Sequence, residues 1–203
     1  MSWRFSLLVT ALVLGACQDP SAPKLYARDS IPTQLSDWQI AQVADRQLIL
    51  NAAVLPYDLA TPLFSDYALK LRTLWLPDGA TAELTDTGSL DFPVGTVISK
   101  TFYYPRARDA ADAADVQQTE QRLVAFDGAS LALDQVRLIE TRLLVHQADG
   151  WLALPYVWNE EQTDATLQIT GAVKRLRLHS NENPRATVES FAYVVPNRNE
   201  CAA

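Results

Sequence analysis

Phe92-Pro93-Val94-Gly95-Thr96-Val97-Ile98-Ser99-Lys100-Thr101-Phe102-Tyr103-Tyr104 alternates so that Thr96, Ile98, Lys100, Phe102 and Tyr104 fall on one face of an extended chain. Similar short runs of β-branched, aromatic and leucine residues recur from Leu69 onward. They are separated by Pro77-Asp78-Gly79, Thr87-Gly88, Asp127-Gly128 and Asp149-Gly150. This punctuation predicts strands near 69–76, 81–85, 94–104, 119–126, 136–147, 151–158, 165–170, 172–179 and 187–195. A mainly β chain follows, with residues 36–195 as an antiparallel β-sandwich or barrel-like domain. Arg106 to Gln118, with its Ala-Asp repeats, is poor in large apolar residues and reads as an exposed loop. Its alanines leave a helix as the alternative.

Toward the N-terminus, Ser36-Asp37-Trp38-Gln39 fits a capping box and predicts a short helix from Asp37 to about Arg46. Residues 17–35 contain Pro20, Pro23 and Pro32 without periodicity, as a tether would. Residues 1–16 carry an early positive charge at Arg4, an apolar run from Phe5 to Leu14, and the small residues Gly15 and Ala16. That is the pattern of a cleavable export signal. The run is about half of the roughly 20 residues a bilayer-spanning helix needs. Leu14-Gly15-Ala16-Cys17 resembles the lipobox of bacterial lipoproteins, which implies acylation of Cys17 and attachment to a membrane through lipid. Gln18, in place of an aspartate, favours the outer membrane under the same resemblance.

The formal net charge is −7, and one of the 17 basic residues, Arg4, lies in the signal. Nucleic acid is thereby an unfavourable partner. An apolar content of 48% with five tryptophans is enough for one domain with a real core and excludes disorder for most of the chain. Of the two cysteines, lipidation of Cys17 leaves Cys201 alone. Met1 is the only methionine, and His146 and His179 are the only imidazoles, with no zinc-like spacing.

Several clusters invite a chemical reading. Pro56-Tyr57-Asp58-Leu59-Ala60-Thr61-Pro62-Leu63-Phe64-Ser65-Asp66-Tyr67 brings two carboxylates and two phenols into a proline-stiffened segment. Asp58 and Asp66 could hold a cation or share a proton, or they could simply cap turns. Lys100 sits among apolar neighbours, which suggests an ion pair with a buried carboxylate, and Glu140 of Ile139-Glu140-Thr141-Arg142-Leu143-Leu144-Val145 is the natural candidate. Trp151, Tyr156 and Trp158, followed by Asn159-Glu160-Glu161-Gln162, could form an aromatic sugar-binding platform or pack in the core. Arg175, Arg177 and His179 form a basic stripe on one strand face, or a solvated edge. Nucleophile, base and orienter stand at no recognisable motif, so the chain does not read as an enzyme.

The segments 56–67, 92–105, 140–145, 151–162 and 193–201 together resemble an uncharacterised bacterial group of dihaem c-type cytochromes, often lipoproteins. The resemblance covers roughly Leu35 to Cys201, and Pro56-Tyr57-Asp58-Leu59, the 92–105 block and Tyr156-Val157-Trp158-Asn159 are its most specific parts. In that family the counterpart of Val195-Pro196-Asn197-Arg198-Asn199-Glu200-Cys201 opens a C-x-x-C-H haem attachment motif. Here the sequence reads Cys201-Ala202-Ala203, so only Cys201 matches, and residues 196–203 are expected to be the truncated start of a cytochrome region. The resemblance implies haem c in a downstream region, a periplasmic redox partner, and none bound by this chain as written. The expected function is a lipid-anchored periplasmic β domain associated with cytochrome electron transfer. The alternative is a carbohydrate- or polymer-binding β-sandwich lipoprotein using Trp151, Tyr156 and Trp158.

Overall fold

A computed structural model describes residues 22–108, 110, 112–180 and 189–201. The export signal, Cys17 and the start of the tether lie outside these residues. Among the described residues no helix is long and apolar enough to cross a membrane.

The strands, in chain order, are β1 (Ala41–Ala44), β2 (Gln47–Leu50), β3 (Leu55–Tyr57), β4 (Leu69–Trp75), β5 (Glu83–Leu84), β6 (Leu90–Asp91) and β7 (Val97–Pro105). They continue as β8 (Asp115–Gln117), β9 (Ser130–Ala132), β10 (Val136–Gln147), β11 (Gly150–Trp158), β12 (Ala165–Leu167), β13 (Ala172–His179) and β14 (Glu189–Val195). A single helical turn, α1 (Arg198–Cys201), ends the described chain. Six strands form an antiparallel sheet in the order β12-β11-β10-β7-β4-β3. Two three-stranded sheets, β1-β2-β9 and β14-β13-β8, supply further layers, and β5 and β6 form a small hairpin. β8 runs parallel to β13. The sheets are open, so the sandwich expectation holds and the barrel does not.

The long strands follow from the alternation in the sequence. On β7 the odd positions Val97 and Tyr103 enter one core, with Trp38, Leu71, Leu143 and Leu154. The even positions Phe102 and Tyr104 enter a second core, with Ile139, Leu176 and Tyr193. Burial of each such side chain contributes about 1.5–3 kcal/mol. The central sheet is therefore apolar on both faces over part of its area, which explains its long unbroken strands. A bulge between Leu138 and Glu140 turns Ile139 and Glu140 toward the second core and restores the alternation at Thr141, which bonds Thr101 and Trp158 on the first face.

The helix expected over 37–46 is replaced by a 3-10 turn at Leu35–Trp38, which stops at Gln39 with φ 56°, followed by the β1–β2 hairpin. Its two-residue turn is Asp45-Arg46, with φ of 49° and 58°. Ser36 does not cap a helix: its hydroxyl donates to Asp164 Oδ2 at 2.6 Å. The strand expected at 119–126 is absent, because Leu123 and Ala125 both take positive φ and interrupt any ladder. The expected loop at 106–118 contains β8 at its end, and Asp115 and Val116 are buried there.

Candidate functional site: a basic row across the central sheet

Residues paired directly across neighbouring strands share a sheet face at a spacing of about 4.8 Å. Arg142 of β10 pairs with Lys100 of β7, Lys100 with Arg72 of β4, and Arg72 with Tyr57 of β3. One step along, Glu140 pairs with Phe102 and Phe102 with Lys70. Three of these cations, Lys70, Lys100 and Arg142, thus gather around one aromatic ring on the face that also carries the second core, and Arg72 stands next to Lys100 in the row. Lys70 Nζ lies 5.9 Å, Lys100 Nζ 5.8 Å and Arg142 Cζ 4.4 Å from the Phe102 ring centre.

Two carboxylates answer two of these cations. Glu140 is fully buried and accepts both prongs of Arg142, Nε to Oε2 at 2.8 Å and Nη2 to Oε1 at 2.6 Å. Tyr193 of β14 donates its hydroxyl to Glu140 Oε1 at 2.7 Å, and burial, with Glu140 adding, pushes its phenol far above the usual range. Asp58 takes Arg72 at 3.0 Å and Arg122 at 3.3 Å. Lys70 and Lys100 form no ion pair among the described residues; Lys70 donates to the carbonyl of Leu63. Burial first, then Arg72, Lys100 and Arg142, pull the Lys70 amine down to about 8. Burial, Arg142 and Arg72 likewise lower Lys100, while Cys201 and Glu140 oppose them.

Cys201 belongs to this neighbourhood. Burial raises its thiol, with Glu140 adding to the rise and Arg142 and Lys100 opposing it, so the protonated and weakly nucleophilic form is favoured. The turn that carries it is built locally. Asn197 Oδ1 accepts the amides of Asn199 and Glu200, and Glu200 Oε2 accepts the amide of Asn197, a reciprocal capping box. Gly171, at φ 78°, lets the chain pass: a Cβ there would stand 2.5 Å from the Val195 carbonyl oxygen. His146 lies stacked on Trp151 with Nδ1 against the Phe92 carbonyl, and His179 is against Asp115, so each imidazole is engaged away from Cys201.

A cleft of about 420 Å³ adjoins the row. Lys70, Arg72 and Asp58 line it, with segments 62–65, 67–69 and 119–123 forming its walls. Leu63 and Phe64 at its edge are 83% and 71% exposed.

The other sequence-derived candidates are placed as follows. Asp58 reaches the cleft as a structural acceptor for two arginines. Asp66 contributes its backbone carbonyl to the Tyr104 hydroxyl at 2.6 Å, and its carboxylate is not brought to Asp58. The aromatic platform does not form. Tyr156 and Trp158 are 0% and 2% exposed in the first core, while Trp151, at 41%, lies on the opposite face of β11. Glu140 pairs with Arg142 rather than Lys100, because register sets Arg142 opposite Lys100 and Glu140 opposite Phe102. Arg177 and His179 are tied to Asp115, and Arg177 also to Asp112. Sequence reasoning passed over Lys70, Arg72, Arg122 and Tyr193. The alternation in Leu69-Lys70-Leu71-Arg72 marks both cations as facing away from Leu71, but only cross-strand register reveals that they meet Lys100 and Arg142. No protein-family model matches the chain, and comparison with curated proteins and with solved structures found no match.

Proposed function

We propose that the chain is a lipid-anchored β domain on the periplasmic side of the outer membrane, associated with electron transfer by c-type cytochromes. By the resemblance, haem belongs to a region that follows this segment, and Cys201 is the one residue of its attachment motif that the segment contains. The observation that carries this reading is the seating of Cys201: a capped turn, admitted by Gly171, holds it beside the cation-rich sheet face. The surroundings also suit a negatively charged cofactor periphery, because two cations, Arg142 and Lys100, and one carboxylate, Glu140, act on the Cys201 thiol.

The test is to read the genomic DNA beyond the codon for Ala203. The expected result is a Cys-His pair completing the attachment motif in one of the frames. Absence of such codons from all frames contradicts the proposal. The glycan-binding alternative has no supporting geometry, since two of its three aromatics are core residues.

A further inference from the structure

We propose that Lys70 and Lys100, with Arg72 behind them, form a binding site for an oxyanion, carboxylate or phosphate, carried on an apolar body that lies in the adjoining cleft. The inference stands apart from the haem reading and does not use Cys201.

Three observations carry it. Like charges directly opposite one another on neighbouring strands are destabilising, yet Arg142, Lys100 and Arg72 occupy consecutive positions of one row. Glu140 and Asp58 offset Arg142 and Arg72, while Lys70 and Lys100 flank Phe102 without a carboxylate. An anion between the two ammonium groups would complete this arrangement, and its hydrogen bonds would be charge-assisted at both ends. Second, Arg72 is 3% exposed and lines the cleft, but its Nε, fully removed from solvent, has no hydrogen-bond acceptor among the described residues. A buried guanidinium nitrogen is strongly disfavoured without an acceptor, and a ligand oxygen is the group that would satisfy it. Third, the cleft is amphipathic: Lys70 and Arg72 lie beside Leu63, Phe64, Tyr67 and Leu123. Exposed apolar side chains at the edge of a basic cleft match a ligand with one charged end and one greasy end.

The carboxylate or phosphate could belong to a soluble amphiphile or to a lipid headgroup, and the experiment separates these sources. The described domain is titrated with dodecyl phosphate below its micellar concentration, with inorganic phosphate, and with vesicles of phosphatidylglycerol or phosphatidylcholine. Amide shifts in β4 and β7 are followed by NMR. Dodecyl phosphate is expected to bind and to shift Lys70, Arg72 and Lys100. Lys100→Gln and Lys70→Gln should each weaken binding at least about tenfold, the loss of one charge-assisted contact. Arg175→Gln, which removes a cation elsewhere, should leave it unchanged. Binding to phosphatidylglycerol but not phosphatidylcholine vesicles, lost in Lys100→Gln, assigns the anion to a lipid headgroup. Binding of dodecyl phosphate with no vesicle binding assigns it to a soluble amphiphile. Equal affinity for inorganic and dodecyl phosphate overturns the apolar half of the proposal. Failure of every probe to bind, or unchanged binding in both lysine variants, overturns the site. Because each substitution relieves like-charge repulsion, thermal midpoints no lower than that of the parent are expected, so lost binding is not confused with lost folding.

Discussion

Glu140 is fully buried, and its charge is tolerable only because Arg142 and Tyr193 are aligned on it. Breaking such a pair from one side typically costs about 3–5 kcal/mol, because the surviving charge is left without its partner. Glu140→Gln is therefore expected to lower stability by about 3 kcal/mol in denaturant unfolding. Tyr193→Phe, which removes one bond to a charged acceptor, should cost about 1.5–3 kcal/mol. The raised phenol of Tyr193 has a definite sign in pH: its contribution is fully present below about pH 10 and is lost as the pH climbs above that. Lys70 behaves oppositely. Its folded value of about 8 lies below its ordinary 10.5, so its charge opposes folding below pH 8, and that penalty disappears between pH 8 and 10.5. An NMR titration of the Lys70 side chain should show a midpoint near 8; a midpoint near 10.5 contradicts the burial of the amine and the crowding of cations described here. Lys100 and Glu140 were both legible in the sequence as same-face residues. Their separation was not, because it depends on a register that the bulge at Leu138–Glu140 sets. The face of Trp151, by contrast, was legible: an odd-numbered residue cannot share a side of a regular strand with Tyr156 and Trp158.

β4, β7 and β11 are the elements whose alternation survives intact from sequence to structure; β10 breaks it at the Leu138–Glu140 bulge, yet its expected ends at 136 and 147 coincide with the observed ones. Long strands buried on both faces for part of their length leave little freedom of register. Short elements were harder. The β1–β2 hairpin turns at Asp45-Arg46, where both residues take positive φ and neither is glycine, so the usual turn signal is missing and Ser36-Asp37-Trp38-Gln39 suggested a helix. Replacing Asp45-Arg46 by Asn-Gly should stabilise the domain by about 1 kcal/mol, measured by urea unfolding, because it relieves the left-handed strain of non-glycine residues at these positions. A loss of stability would contradict the mirror-image turn. Gly171 is the converse case, where the required freedom is met. Gly171→Ala brings a Cβ against the Val195 carbonyl at positive φ, and its expected effect is release of α1. Amide protection at Cys201 should fall, while the central sheet keeps its protection.

Over the whole molecule, two cores back the two faces of one sheet, and the functional candidates lie where the second core gives way to charge. Composition and punctuation predicted a mainly β chain, and the structure has that character. The three-layer arrangement was not readable, because β1, β2, β8 and β9 are only three or four residues long and two of the pairings that place them, β8 with β13 and β2 with β9, join strands distant in sequence. The same holds for the basic row. Its cations come from three strands spread over residues 70–142, in a chain whose net charge of −7 masks any local positive patch. The direct measurement for the proposed role is peptide mass spectrometry of the native protein released from its membrane, focused on Cys201. The account predicts a Cys201 peptide carrying haem through a thioether bond. Recovery of Cys201 solely as an unmodified thiol, in protein purified under conditions that preserve c-type haem, would contradict it.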